Sequence, residues 1–196
     1  SGHGKVVAEI AELLGFQKVV FFDDSKTDNN FESWNIQGDT KNLISNISDF
    51  DACFVAIGDN NLRINKINTL LLNNANVISL IHPLASVSKY SKIKRGTVVM
   101  AGAAINSFVT IGNSCIINTN STIEHDCVIG DGVHISPNSA IAGGVSIGDK
   151  TWIGIGSSIK QNIVIGNNVI LGLGSVLLDD LPDNVIAFGV PAKIES

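Results

Sequence analysis

From Val87 to Leu177 an aliphatic residue recurs at every sixth position, sixteen in succession and none polar, among them Ile93, Val99, Ile105, Ile111, Ile117 and Ile123. A helix repeats every 3.6 residues and a half-buried strand every two, so neither accounts for a period of six. Four residues after each aliphatic position stands a small or aliphatic side chain, such as Ala103, Cys115, Ser121 or Cys127. The residue directly after it is often Gly, as at Gly112, Gly130, Gly148, Gly154, Gly166 and Gly172. If each hexapeptide is one short strand and one corner, three close a triangular coil, and coils stack at about 4.8 Å, the usual strand spacing. Sixteen repeats then build roughly five coils. The aliphatic positions point into the prism, the small ones let the chain turn, and Gly and Asn suit the corners because they tolerate positive φ.

The first 82 residues read differently and form a separate domain, with residues 83–196 left to the prism and a C-terminal tail. Ser1-Gly2-His3-Gly4-Lys5 is a Gly-rich loop entering a helix from Val6 to Leu14, ended by Gly15. Apolar strands are expected at Lys18 to Phe22, closing on Asp23-Asp24, at Ala52 to Ile57, closing on Gly58-Asp59, and at Val77 to Leu80, with a polar helix from Leu62 to Asn73. Strand alternating with helix implies a small, Rossmann-like α/β domain with an open parallel sheet. In such sheets ligands sit at the carboxyl ends of strands, so the loops at Gly2, Asp23 and Gly58 should converge on one crevice. A helix N-terminus behind Gly2 would favour a diphosphate there. The plain alternative for Gly-x-Gly is a tight turn, and for Asp23-Asp24 a solvated strand end. The strand expected before the Gly-rich loop is missing, which suggests a longer natural chain or a sheet one strand short.

A net charge of -5 and a pI near 5.2 leave no general basic face for a nucleic-acid backbone. Lys89, Lys92, Lys94 and Arg95 read as a solvated edge. No apolar run has the roughly 20 residues that span a bilayer, and no signal peptide is evident, so a cytoplasmic protein is expected. Cys53, Cys115 and Cys127 form no CxxC pair and read as reduced thiols.

Several motifs then occur in one order: the Gly-rich start, Phe22-Asp23-Asp24, Ala56-Ile57-Gly58-Asp59-Asn60, Ile81-His82-Pro83, Ile117-Asn118-Thr119, Ile123-Glu124-His125-Asp126 and Gly189-Val190-Pro191-Ala192-Lys193. With the hexads, they resemble the bacterial sugar acetyltransferases that include sialic acid O-acetyltransferases and the UDP-4-amino-sugar N-acetyltransferases of bacillosamine synthesis. The resemblance implies a left-handed β-helix, a homotrimer, acetyl-CoA in a groove between subunits, and a nucleotide sugar in the N-terminal crevice. It assigns Gly2, His3, Asp23, Asp24, Gly58 and Arg63 to the sugar nucleotide; Asn118, one position after an inward Ile, would either touch the sugar or serve only as a corner residue. It gives His134 to the thioester region, although packing explains that residue equally well. Ile155, Gly156, Leu173 and Gly174 would line the pantetheine groove, with Lys193 near the adenine. Where relatives carry Lys after the acidic pair, this chain has Ser25 and then Lys26.

Acetyl transfer to an amine requires the amine to lose a proton as it attacks, and an imidazole suits that task. His125, two residues past an inward Ile, is the expected general base. Asp126 or Glu124 would fix its tautomer, with Asp126 favoured by the resemblance. Backbone N–H groups near Gly143 could hold the oxyanion. The expected reaction is acetylation of UDP-4-amino-4,6-dideoxy-N-acetylglucosamine without a metal. The alternatives are O-acetylation of sialic acid, a dTDP- or GDP-linked amino sugar, a γ-class carbonic anhydrase using zinc on His82, His125 and His134, or a non-catalytic sugar-nucleotide sensor.

Overall fold

The computed structural model describes residues 2–25 and 30–195. Ser1 and Lys26, named above, lie outside the described residues. The hexads form a parallel prism of three stacked sheets. Face I carries the strands Leu80–Ile81, Val98–Val99, Ile116–Ile117, His134–Ile135, Trp152–Ile153 and Ile170–Leu171, and is extended by Ile186–Gly189 and Ala192–Ile194. Face II runs from Ser86–Val87 to Val176–Leu177, and face III from Lys92–Ile93 to Val164–Ile165. Register is uniform: Ile117 pairs with Val99 below and Ile135 above, and Ile123 with Ile105 and Ile141. Identical side chains therefore stack in columns, and Ile105, Ile111, Ile117, Ile123, Ile129, Ile135, Ile141 and Ile153 are at most 1% exposed. Burying each such side chain contributes about 1.5–3 kcal/mol.

The small positions lie inside the corners and close polar bonds between coils. Thr97, Ser139, Thr151 and Ser157 donate their hydroxyls to the carbonyls of Gly112, Gly154, Gly166 and Gly172 at 2.8–3.0 Å. Cys115 and Cys127 stand in the same positions, with Sγ 3.1 Å from Gly130 O and 3.2 Å from Ala142 O. This explains why Ser, Thr and Cys interchange there: each is small, and each can satisfy a buried carbonyl. Burial pushes the Cys115 thiol up to about 12.

Positive φ occurs at the corners, where Gly and Asn hold most of the positions, as expected. It falls three residues after each aliphatic position, at fourteen consecutive hexads from Gly96 to Gly174, including Phe108, Asp126 and Lys150. The glycines directly after the aliphatic residues serve close approach instead. A Cβ on Gly112 would lie 2.5 Å from Gly130 O, the next glycine in that column. The edge between faces III and I adds an Asx ladder. Asp131 Oδ1 accepts from Asn113 N, Asp149 Oδ1 from Asp131 N, Asn167 Oδ1 from Asp149 N, and Asp183 Oδ1 from Asn167 N, all at 2.7–2.8 Å.

The N-terminal domain comprises α1 (Gly2–Leu13), β1 (Val20–Phe21), β2 (Asn30–Phe31), β3 (Trp34–Ile36), α2 (Thr40–Ser45) and α3 (Asn60–Leu72). Its sheet has the order β1-β3-β2, with β3 parallel to β1 and antiparallel to β2. The hairpin of β2 and β3 and the short α2 were not anticipated. Ala52 to Ile57 forms no ladder, only a parallel bridge from Cys53 to Val77, and Leu80–Ile81 joins the prism ahead of the expected boundary. Gly2-His3-Gly4 is the first turn of α1 rather than a loop before it. Gly4 is buried there because α1 packs close to β1: a Cβ would sit 3.1 Å from Phe21.

The domain rests on face I. Val7 and Ile10 of α1 pack with Leu80, Val98, Met100 and Ile116, while α3 lies along the III/I edge, where a Cβ on Gly132 would collide with Ile64. Face II and its edge with face III stay clear of these contacts. Among the described residues no helix is long and apolar enough to cross a membrane.

Candidate active site

The residues expected to act together fall into three groups on the prism. His125 stands on the II/III edge, with its side chain 64% exposed. Asp126, next to it, adopts φ 62°, which turns the carboxylate back so that Oδ2 lies 2.8 Å from His125 Nδ1. An ionised carboxylate only accepts, so the proton belongs on Nδ1 and Nε2 is left with a free lone pair. Glu124 does not share this task, since its Oε2 accepts from Asn106 Nδ2 at 2.8 Å. The ring lies flat over Gly143, where a Cβ would come within 2.7 Å of Cε1 and 2.8 Å of Nε2. Gly143 is therefore the floor beneath the imidazole.

The second group occupies face I beside the N-terminal domain. Asn118 Oδ1 accepts from Thr119 N at 2.8 Å, which orients its Nδ2 toward His134 Nε2 at 3.2 Å. His134 pairs in register with Trp152, and their rings stack at 5.8 Å and 7°. Trp152 Nε1 donates to Ser136 Oγ at 2.8 Å. Burial, with the charges of Arg63 and His3 nearby, holds His134 down to about 3. His3, on the first turn of α1, is likewise lowered to about 4 by burial and by Arg63, and its Nε2 is buried without a partner. Gly2 and Gly58 are open, with nothing within 4 Å of an added Cβ, and α1 has no acidic residue in its first turn. His3, His134 and Asn118 thus lie near one another beside the first turn of α1. Trp152 was missed in the sequence, although it lies in the same hexad column as His134, one coil on.

The third group lies on the I/II edge: Ile155 and Leu173 are 55% and 79% exposed, and Gly156 and Gly174 have positive φ with open space beside them. Face II separates this edge from His125. Farther along, Lys193 on the final strand is exposed, 3.9 Å from Asp179.

Three expected substrate contacts are engaged within the protein. Arg63 is 0% exposed, and all five of its N–H donors bond to protein acceptors, so none remains for a ligand. Asp24 uses Oδ1 for Thr40 N and Oδ2 for Lys66 Nζ, both at 2.7 Å, and the lysine bond first of all holds its carboxyl down to about 2. Asp23 Oδ1 accepts from the backbone and hydroxyl of Ser25. The zinc reading requires three histidines in convergence. His134 and His125 stand on a face and a separate edge, His82 Nδ1 accepts from Leu84 N, and no metal-holding cluster occurs among the described residues.

Residues 1–70 match the PglD N-terminal domain, and residues 108–143 and 144–179 match the bacterial transferase hexapeptide repeat. The chain belongs to the hexapeptide-repeat sugar acetyltransferases built on this pair of domains, and its prism is a left-handed β-helix. It is similar to the acetyltransferase domain of PglB from Neisseria gonorrhoeae FA1090, solved with acetyl coenzyme A: 36% identity, TM-score 0.95, covering 100% of this chain and 95% of that one. PerB from Caulobacter crescentus, solved with CoA and GDP-perosamine, is 38% identical with TM-score 0.95, covering 100% and 94%. WeeI from Acinetobacter baumannii AYE is 26% identical with TM-score 0.93, covering 100% and 96%. No curated protein sequence matches the chain.

Proposed function

We propose that this acetyltransferase moves the acetyl group of acetyl-CoA onto the amine of a nucleoside-diphosphate-linked 4-amino sugar, with His125 as general base. The carrying observation is the His125–Asp126 pair: an exposed imidazole with its proton fixed on Nδ1 and Nε2 open above Gly143. The sugar amine attacks the thioester carbonyl, Nε2 takes the amine proton, the C–S bond breaks, and the proton passes to the departing thiolate. Asp126 stabilises the imidazolium formed on the way.

The diphosphate lies at the N-terminus of α1, where backbone N–H groups and the helix dipole favour an anion. The sugar extends from there past Asn118. His134, held neutral, lines the same passage. The acceptor crevice on face I and the exposed apolar I/II edge are both displaced around the prism from His125. The single chain therefore does not assemble the reacting groups, and a trimer that sets the II/III edge of one subunit against the neighbour's groove does so.

UDP-4-amino-4,6-dideoxy-N-acetylglucosamine is the first acceptor to examine. The engagement of Asp24 removes part of the reason for preferring uridine, and the likeness to PerB favours a GDP-linked amino sugar as the second. The test is thiol release from acetyl-CoA against UDP-, dTDP- and GDP-linked 4-amino sugars and free sialic acid. Turnover with a nucleotide amino sugar is expected; turnover with sialic acid alone would replace the amine by a hydroxyl acceptor. Sedimentation should give a trimer, and a fully active monomer would end the intersubunit arrangement.

A further inference from the structure

We propose that Arg63 is a positioning residue, a single side chain that fixes the acceptor crevice of the N-terminal domain against the coil carrying His134. The inference rests on the nucleotide-sugar reading above. Nη1 donates to Ile57 O at 2.9 Å and Gly58 O at 2.8 Å, and Nη2 to Asn60 Oδ1 at 2.7 Å, all in the N-terminal domain. The remaining two donors cross to the β-helix: Nε reaches Ser114 O at 2.7 Å, and Nη2 reaches Gly132 O at 2.9 Å. Ser114 and Gly132 are equivalent corner residues of adjacent coils, both at positive φ. Gly132 stands two residues before His134, and Gly58 opens the loop that enters α3.

The other contacts between the domains do less to set position. The packing of Val7 and Ile10 on face I is non-directional and tolerates sliding. Asn60 Nδ2 adds directed bonds to Lys150 O at 2.9 Å and, more weakly, to Thr151 O at 3.4 Å. The guanidinium instead presents a planar, rigid fork to five acceptors at once, a geometry that the three rotatable donors of lysine do not reproduce. None of these five acceptors is a carboxylate, so the site is not an ion pair and neutralising it is not its purpose. Its buried charge also lies close enough to depress His134 and His3 toward the neutral form.

The position it sets is that of Gly58 and the α1 N-terminus relative to His134 and Asn118, and hence of a bound acceptor relative to the β-helix. The acetyl-CoA edge at Ile155 and Leu173 and the His125 edge lie outside its reach. The experiment is steady-state thiol release by Arg63→Met, Arg63→Lys and Asn60→Ala, with both substrates varied. Arg63→Met and Arg63→Lys should each raise KM for the nucleotide amino sugar about 10-fold or more while KM for acetyl-CoA stays within about twofold. Asn60→Ala removes one acceptor and the Lys150 tie, and should show the same split at about threefold; it carries the test if the Arg63 variants do not fold. The 15N titration of His134 should also move upward in Arg63→Met. Equal rises in both KM values, or no rise in folded variants, would overturn the proposal. A wild-type enzyme that turns over no nucleotide amino sugar would overturn the functional reading instead.

Discussion

His125 and His134 lie nine residues apart on the same prism in opposite environments. His125 projects from the II/III edge into solvent, with one nitrogen held by Asp126 and the other free. His134 lies between the N-terminal domain and Trp152, with Nε2 taken by Asn118, and burial beside a cation keeps it neutral. A histidine that must take up and release a proton has to accommodate the charged form, and only the first site does so. The second site suits a neutral polar wall. Spacing creates the difference: nine residues are a hexad and a half, which carries the chain from an edge to a face.

The largest effect that could break this contrast is on turnover. His125→Ala should lower kcat by about 10²- to 10⁴-fold with little change in KM for acetyl-CoA. His134→Gln should lower kcat far less. If His134→Gln cost the larger factor in kcat, the two roles would be exchanged.

The same contrast predicts how stability depends on pH. Folded His3 and His134 titrate at about 4 and about 3, below the ordinary value of 6.5. Above pH 6.5 neither the folded nor the unfolded chain protonates them, and stability is full. As pH falls below 6.5 the unfolded chain takes up protons that the folded chain refuses, so stability declines until the folded pKa values are reached. At pH 5 the loss is about 2 kcal/mol for each histidine. Thermal unfolding between pH 7 and 5 should show a falling Tm, with a shallower slope in His134→Gln. A flat wild-type curve would mean that the imidazoles are not sealed from water.

A smaller effect tests the floor of the His125 site. Gly143→Ala places a methyl group 2.7 Å from Cε1 and 2.8 Å from Nε2, so the ring must tilt away. A displacement of that kind costs about 10- to 100-fold in kcat. Tm should hold, because Gly143 lies at the exposed edge and not in the aliphatic columns. Full activity in Gly143→Ala would show that the imidazole works from another rotamer.

The β-helix was legible because its signal repeats: each coil states again which residue points inward, so a single ambiguous position does no harm. The N-terminal domain has no such redundancy. Lys18 to Phe22 did contain a strand and Leu62 to Asn73 a helix, but β2, β3 and α2 are short segments whose partners lie far along the chain, as when Val20 pairs with Asn35. At the site, the His125–Asp126 pair could be read from adjacency. The burial of Arg63 could not, because nothing in Asn60-Asn61-Leu62-Arg63 says that two carbonyls from distant coils, at Ser114 and Gly132, will close over the guanidinium. The glycines directly after the aliphatic residues could not be told apart from the corner glycines for a related reason. Positive φ and close approach both select glycine, and only the stacked coils separate the two.

The smallest effect concerns the III/I edge, where the sequence shows an unremarked column of Asn113, Asp131, Asp149, Asn167 and Asp183. Each side-chain oxygen above accepts the backbone N–H of the residue below, so the role calls for an oxygen at that height and not for a charge. Asp131→Ala removes the acceptor for Asn113 N and should cost about 1–2 kcal/mol, the scale for stranding a part-buried donor. In a chain of this size that lowers Tm by roughly 2–8 °C. Asp131→Asn should recover most of the loss, because Asn167 Oδ1 already serves Asp149 N in the same way at 2.8 Å. Both variants should keep wild-type kcat, since the edge faces away from His125. If Asp131→Asn proved as damaging as Asp131→Ala, the ladder would depend on charge, and the mixing of Asn and Asp within one column would need a different cause.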